Sequence, residues 1–154
     1  MIRWLLLAGG IIAVDQITKL WVLGSFYLHE QRAVTEFFNL VLVFNSGAAF
    51  SFLASAGGWQ KWFFVGLALV ISAWLLSMLR KHATERLLPA ALSLVLGGAL
   101  GNVIDRLRFG AVVDFLDFHI AGWHWPAFNV ADSAITIGVG LMLLHQFFQP
   151  KESA

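Results

Sequence analysis

The sequence predicts an integral membrane protein, mainly α, with four transmembrane helices and a few short strands between them. Three observations carry that expectation. First, 59% of the 154 residues are hydrophobic and only 12% are charged, against about 45–50% and about 25% in soluble domains. So little charge cannot cover a globular surface with side chains that water solvates, and most of the exterior must face lipid. Second, residues 62–79 and 87–104 each run eighteen residues without a charge. At 1.5 Å rise each reaches roughly 27 Å, close to the thickness of a bilayer's hydrocarbon core. Third, charge brackets both stretches, with Lys61 and Arg80-Lys81 around one, Arg86 and Asp105-Arg106 around the other.

The elements follow in order. A first span, about 4–24, is apolar through Val14 and then carries Asp15, Gln16, Thr18 and Lys19, groups that lipid does not solvate. Arg3 ahead of an apolar run also fits a cleavable signal peptide; the charge at Asp15 and the apolar sequence beyond Lys19 favour a retained helix. The connector 25–61 holds a run at 36–44, rich in β-branched and aromatic residues and too short to span, which reads as a strand. Spans two and three, 62–79 and 87–104, are joined by the tight turn 80–86. The connector 106–131 holds a second strand at 112–120, and a fourth span runs over 133–149, between Asp132 and Pro150-Lys151. Trp59, Trp62, Trp123 and Trp125 fit an interfacial aromatic belt. With four spans both termini share a side with the short turn. Three of its seven residues are Arg or Lys, which predicts cytoplasmic termini and extracytoplasmic long connectors. The whole chain, 1–154, reads as a single membrane-embedded domain.

Several chemistries are excluded or disfavoured. With no cysteine there is no disulfide framework, thiolate nucleophile or thiolate-held metal. The net charge is +1 and no basic run exceeds Arg80-Lys81, so a surface that tracks nucleic-acid phosphates is not expected. His29-Glu30 lacks the second histidine of a helical zinc-protease motif, because Ala33 stands there. His119 and His124, in a Trp-rich stretch, read as interfacial residues rather than metal ligands. Ser46 has no G-x-S-x-G elbow around it. Neither a cofactor nor a metal is expected.

All five aspartates, Asp15, Asp105, Asp114, Asp117 and Asp132, fall on the long-connector side of the spans, which suggests a polar site at one membrane face. Asp15 and Lys19 are spaced as a favourable i, i+4 pair, readable as a neutralised ion pair. Asn102, Asp105 and Arg106 share one face at the end of span three, with Asp105 the natural counter-ion of Arg106. Gly97, Gly98 and Gly101 there allow a neighbouring helix to come close. Asn129 and Asp132 have the spacing of a capping box. In an extended 112–118 segment Asp114 and Asp117 face opposite sides, since only residues an even number apart share one. Apolar flanks and a second carboxylate both raise an aspartate's pKa, so Asp114 with Asp132 is a candidate acid/base pair. A small ion-coupled transporter is the rival reading, although neither internal repeats nor paired broken helices are evident. An assembly subunit would need no acid pair.

Taken in order, Asp15-x-x-Thr18-Lys19, Asn45-Ser46-Gly47-Ala48-Ala49-Phe50, Gly101-Asn102-x-x-Asp105-Arg106, Val113-Asp114-Phe115 and Phe128-Asn129-x-Ala131-Asp132 resemble bacterial lipoprotein signal peptidase (signal peptidase II). The resemblance spans almost the whole chain. It implies an aspartic endopeptidase of the inner membrane that removes the signal peptide of prolipoproteins just before the diacylglyceryl-modified cysteine, with globomycin as inhibitor. By motif, Asp114 and Asp132 would be the catalytic aspartates. Asp15, Lys19, Asn45, Gly47, Asn102, Asp105, Arg106, Asn129 and Ala131 would complete the active-site surroundings. The family fold adds a small extracytoplasmic β-cradle, matching the two strands, and a short periplasmic helix, which would fall at roughly 52–60.

Overall fold

Four long helices form where apolar residues run longest: α1 Ile2–Ser25, α2 Gln60–Lys81, α3 Leu87–Phe109 and α4 Val130–Phe148. The computed structural model describes residues 1–47 and 58–148. All four helices have the length and hydropathy to cross a membrane. The expected spans are recovered, most of them extended by a turn or less. The largest difference is α3, which continues through Asp105 and Arg106 to Phe109, so Arg106 belongs to a helix and not to the connector. Charge does not end this helix, because Asp105 finds partners inside the protein.

α3 is the centre of the bundle. Two thirds of its apolar window is buried, against about a fifth for each of the others. Its glycines explain how closely the neighbours dock. A Cβ at Gly97 would lie 2.7 Å from the Ala8 carbonyl oxygen of α1, and one at Gly98 would collide with the Ala131 carbonyl oxygen of α4. Large apolar side chains on the outer faces, such as Leu6, Ile17, Val70, Trp74 and Phe147, stay exposed. In a chain this apolar those faces meet lipid, where exposure carries no penalty.

The packing is layered along the bundle. At one end Ala8, Leu75, Leu79, Leu88, Leu92 and Leu96 form an apolar cluster. Arg3 and Trp4 donate to carbonyls of the 82–86 turn there, so α1 begins at the end where α2 and α3 are joined. At the other end Val22, Phe26, Leu42, Val113 and Phe115 form a second cluster beneath a sheet. Between them lies a polar layer.

The sheet is antiparallel, in the order β1-β2-β3-β4, with β1 Gln31–Ala33, β2 Phe38–Asn45, β3 Val112–Ile120 and β4 Trp123–His124. β2 and β3 are the strands expected from composition. The two edge strands are too short to have carried a signal. Ala121 and Gly122, with φ of 49° and 81°, make the two-residue turn into β4, a hairpin geometry that requires positive φ at both positions. The β2–β3 register shifts between Leu40 and Val43. This bulge sets Val43 opposite Asp114 and Asn45 opposite Val112. Beyond β4 the chain returns along β3, where Leu116 and Phe128 exchange backbone hydrogen bonds of 2.8 and 3.1 Å. That return delivers Asn129 and the start of α4 beside Asp114. Residues 52–57 of the expected short periplasmic helix lie outside the described residues, and Gln60 already opens α2.

Candidate active site

The polar layer brings together residues from α1, β2, α3, β3 and α4. Lys19 is 1% exposed and Asp15 and Asp105 are fully buried. Lys19 Nζ lies 2.8 Å from Asp15 and 2.7 Å from Asp105, and donates to Asn102 Oδ1 at 3.1 Å. A cation buried this deeply survives only when paired and fully hydrogen-bonded, and three acceptors meet its three donors. The expected Asp15–Lys19 pair is therefore present, with Asp105 added. α1 thus supplies part of the buried network.

Asp105 corrects one expectation. It turns to Lys19, to Gln16 Nε2 at 2.9 Å and to the Val113 N–H at 3.0 Å, and is not the counter-ion of Arg106. Adjacent helical residues point about 100° apart, so the two side chains reach different neighbours. Arg106 instead donates to the Gly47 carbonyl at 3.1 Å and lies 5.1 Å from the Phe64 ring centre. Gln16 is the residue composition missed. It bridges Asp15, Gly101 and Asp105, and its only sequence signal was a polar side chain beside Asp15 in an apolar span.

The start of α4 is built as the spacing predicted, in part. Asn129 Oδ1 accepts from the Asp132 N–H at 2.9 Å, which is the N-cap half of a capping box. The Asp132 carboxylate turns away from the cap and accepts from Asn102 Nδ2 at 2.8 Å. A second helix-start donor, the Ala131 N–H, is held by Asp15 Oδ1 at 2.9 Å. Both acids lie where the helix dipole favours negative charge.

Asp114 sits on β3 facing this helix start. Asn129 Nδ2 donates to it at 2.7 Å and Asn45 Nδ2 at 3.3 Å. Asn45 Oδ1 also accepts from the Gly47 N–H at 3.0 Å, closing the loop after β2. Asn102 and Asn129 touch each other at 3.3 Å. A continuous chain of hydrogen bonds thus runs from Asp114 through the two amides to Asp132. Burial, and then the nearby Asp132 charge, push the Asp114 carboxyl up to about 7, against the opposing pull of Asn129, Asn45 and Lys19. Asp117, three residues on, points to the other face, where it pairs with Asn39 at 2.8 Å and His124 at 2.8 Å. The opposite-face expectation holds.

Asp114, Asp132, Asn45, Asn102 and Arg106 line one cleft of about 760 Å³, most of whose remaining wall is apolar, with Val43, Phe128 and Ile135 among it. Among the described residues no group of three His, Cys, Asp or Glu side chains is arranged to hold a metal ion. His119 and His124 stack at 4.8 Å across the β3–β4 pair.

The family described as signal peptidase (SPase) II matches residues 7–148. This chain belongs to the signal peptidase II family. It is 61% identical to the lipoprotein signal peptidase of Azoarcus sp. (strain BH72) over 146 residues, covering 95% of this chain and 83% of that one. It is 54% identical to the lipoprotein signal peptidase of Cupriavidus necator, covering 93% and 82%. Among solved structures it is similar to a bacterial membrane enzyme determined by the in meso method at 2.3 Å, with a TM-score of 0.86 and 34% identity, covering 100% of this chain and 94% of that one. A signal peptidase II with four membrane-crossing helices is a protease and a multi-pass protein of the bacterial inner membrane.

Proposed function

We propose that this signal peptidase II is an aspartic endopeptidase whose dyad is Asp114 and Asp132, and that it removes the signal peptide from diacylglyceryl-modified prolipoproteins before the lipidated cysteine. The observation that carries the dyad is the pairing of two carboxylates, from β3 and α4, at one cleft and on one amide chain. A carboxyl with a pKa of about 7 keeps its proton on about half of the molecules at neutral pH, where an ordinary aspartate keeps almost none, which makes Asp114 the acid. Asp132, at a helix start and receiving the Asn102 N–H, is the base.

The steps follow from those states. Asp132 takes a proton from a water as its oxygen adds to the scissile carbonyl carbon, while Asp114 hydrogen-bonds the carbonyl oxygen. The proton on Asp132 passes to the leaving nitrogen, the C–N bond breaks, and the products are a signal-peptide carboxylate and a mature chain with a free amine. Asn102, Asn129 and Arg106 orient the dyad. Asn45 and the Gly47 loop border the extended substrate backbone, and Asp15, Lys19, Asp105 and Ala131 hold the helices that present it. The apolar walls leave the acyl chains in lipid. Both termini are cytoplasmic and the cleft opens at the extracytoplasmic face, by the density of Arg and Lys in the 80–86 turn. The transporter reading is not favoured, because the acids gather in one layer of the bundle and do not line a path through it.

The test uses purified protein in detergent with a diacylglyceryl-modified prolipoprotein. Cleavage is expected as a size shift that globomycin blocks and metal chelators do not. Asp114→Asn and Asp132→Asn should each abolish it while the protein stays folded; substantial activity in either would sink the dyad.

A further inference from the structure

The buried ammonium of Lys19 makes one contact that neutralising its charge does not require. Asp15 and Asp105 already supply two carboxylates, yet the remaining donor goes to the neutral Asn102 Oδ1 at 3.1 Å. An ammonium donates three hydrogens and accepts none, so only the carbonyl end of that amide can face it. The other end is thereby committed, and Asn102 Nδ2 donates to Asp132 Oδ1 at 2.8 Å. A flipped amide would set its NH2 against the ammonium and its oxygen against the carboxylate, repulsion at both ends in a buried, low-dielectric layer. The same Asn102 oxygen accepts from Asn129 Nδ2 at 3.3 Å, and that nitrogen carries on to Asp114.

We propose that Lys19 is a positioning residue that locks the Asn102 amide in one orientation, so that Asp132 always receives an N–H donor. A donated hydrogen bond favours the ionised carboxylate. The amide then favours the charged base and aims it. This rests on the dyad reading above, in which Asp132 is the base.

The decisive variant is Lys19→Met with Asp105→Asn, which removes one positive and one negative charge and leaves the net charge unchanged. The asparagine keeps a carbonyl for the Val113 N–H. With the folded double variant, kcat for a diacylglyceryl-modified prolipoprotein is expected to fall at least about tenfold while KM stays within about threefold. The acidic limb of the kcat–pH profile, which reports ionisation of the base, should move up by about one unit. A purely structural lysine would not move that limb. A folded double variant with wild-type kcat and an unmoved limb overturns the proposal, as does a loss confined to KM. Should the double variant not fold, Lys19→Arg decides, since it keeps both cation and donors. There kcat within about threefold and an unmoved limb supports positioning, and a folded enzyme more than about tenfold slower overturns it. Asp114→Asn and Asp132→Asn run in the same assay separate the two failures: if they cleave normally, the dyad reading is what fails.

Discussion

Asp114→Asn exposes a conflict between catalysis and stability that the geometry quantifies. Asp114 is 3% exposed, and burial with the neighbouring Asp132 charge raises its pKa from 3.8 to about 7. At 1.36 kcal/mol per unit this is roughly 4 kcal/mol of preference for the neutral acid. The sign is that of a raised acid. Between pH 3.8 and about 7 the folded chain keeps a proton that the unfolded chain has lost, so rising pH favours unfolding, and the stability present below 3.8 is gone above 7. An asparagine does not titrate and avoids that loss. It has one carbonyl oxygen for the two donors, Asn129 and Asn45, so one donor goes unpaired at a cost of about 1–3 kcal/mol. Asp114→Asn is therefore expected to be less stable than wild type at pH 4 and more stable at pH 8. The difference between the two comparisons is roughly 4 kcal/mol whatever the hydrogen-bond cost. Unfolding in detergent micelles at both pH values measures it, with cleavage scored in parallel and expected to fall at least about a thousandfold. An offset between wild type and variant that is equal at pH 4 and pH 8 would refute the raised pKa. Activity above a few per cent would refute the role.

Three further outcomes follow from the same site. Wild-type kcat should decline about tenfold per pH unit above about 7, as Asp114 loses its proton; a plateau through pH 9 would contradict this. Asp117→Asn should leave cleavage within about threefold of wild type, because Asp117 faces Asn39 and His124 away from the cleft, and a folded but inactive variant would overturn the opposite-face geometry. Gly98→Ala, whose new Cβ would press on the Ala131 carbonyl, should cost about 1–3 kcal/mol of stability and lower kcat by displacing Asp132, read by thermal unfolding and turnover together.

Much of the fold was legible because its signals are local. Eighteen-residue uncharged runs, β-branched stretches and the Asn129–Asp132 spacing are each set by residues adjacent in sequence. The pairing of charges was less legible. Asp105 looked like the partner of its neighbour Arg106, and the structure gives it to Lys19, 86 positions earlier in the chain. Gln16 showed only that a polar side chain stood in an apolar span, because its partners Gly101 and Asp105 lie on another helix.

Composition alone determined that this chain lives in lipid, since a chain with only 12% charged residues cannot cover its surface for water. Local pattern added where the helices and central strands lie. Only the tertiary structure decided which of the five aspartates meet. The α3 glycines let α1 and α4 approach to backbone contact, and the return of the chain along β3 sets Asn129 against Asp114. Those approaches join residues far apart in sequence, through contacts that depend on shape and not on periodicity.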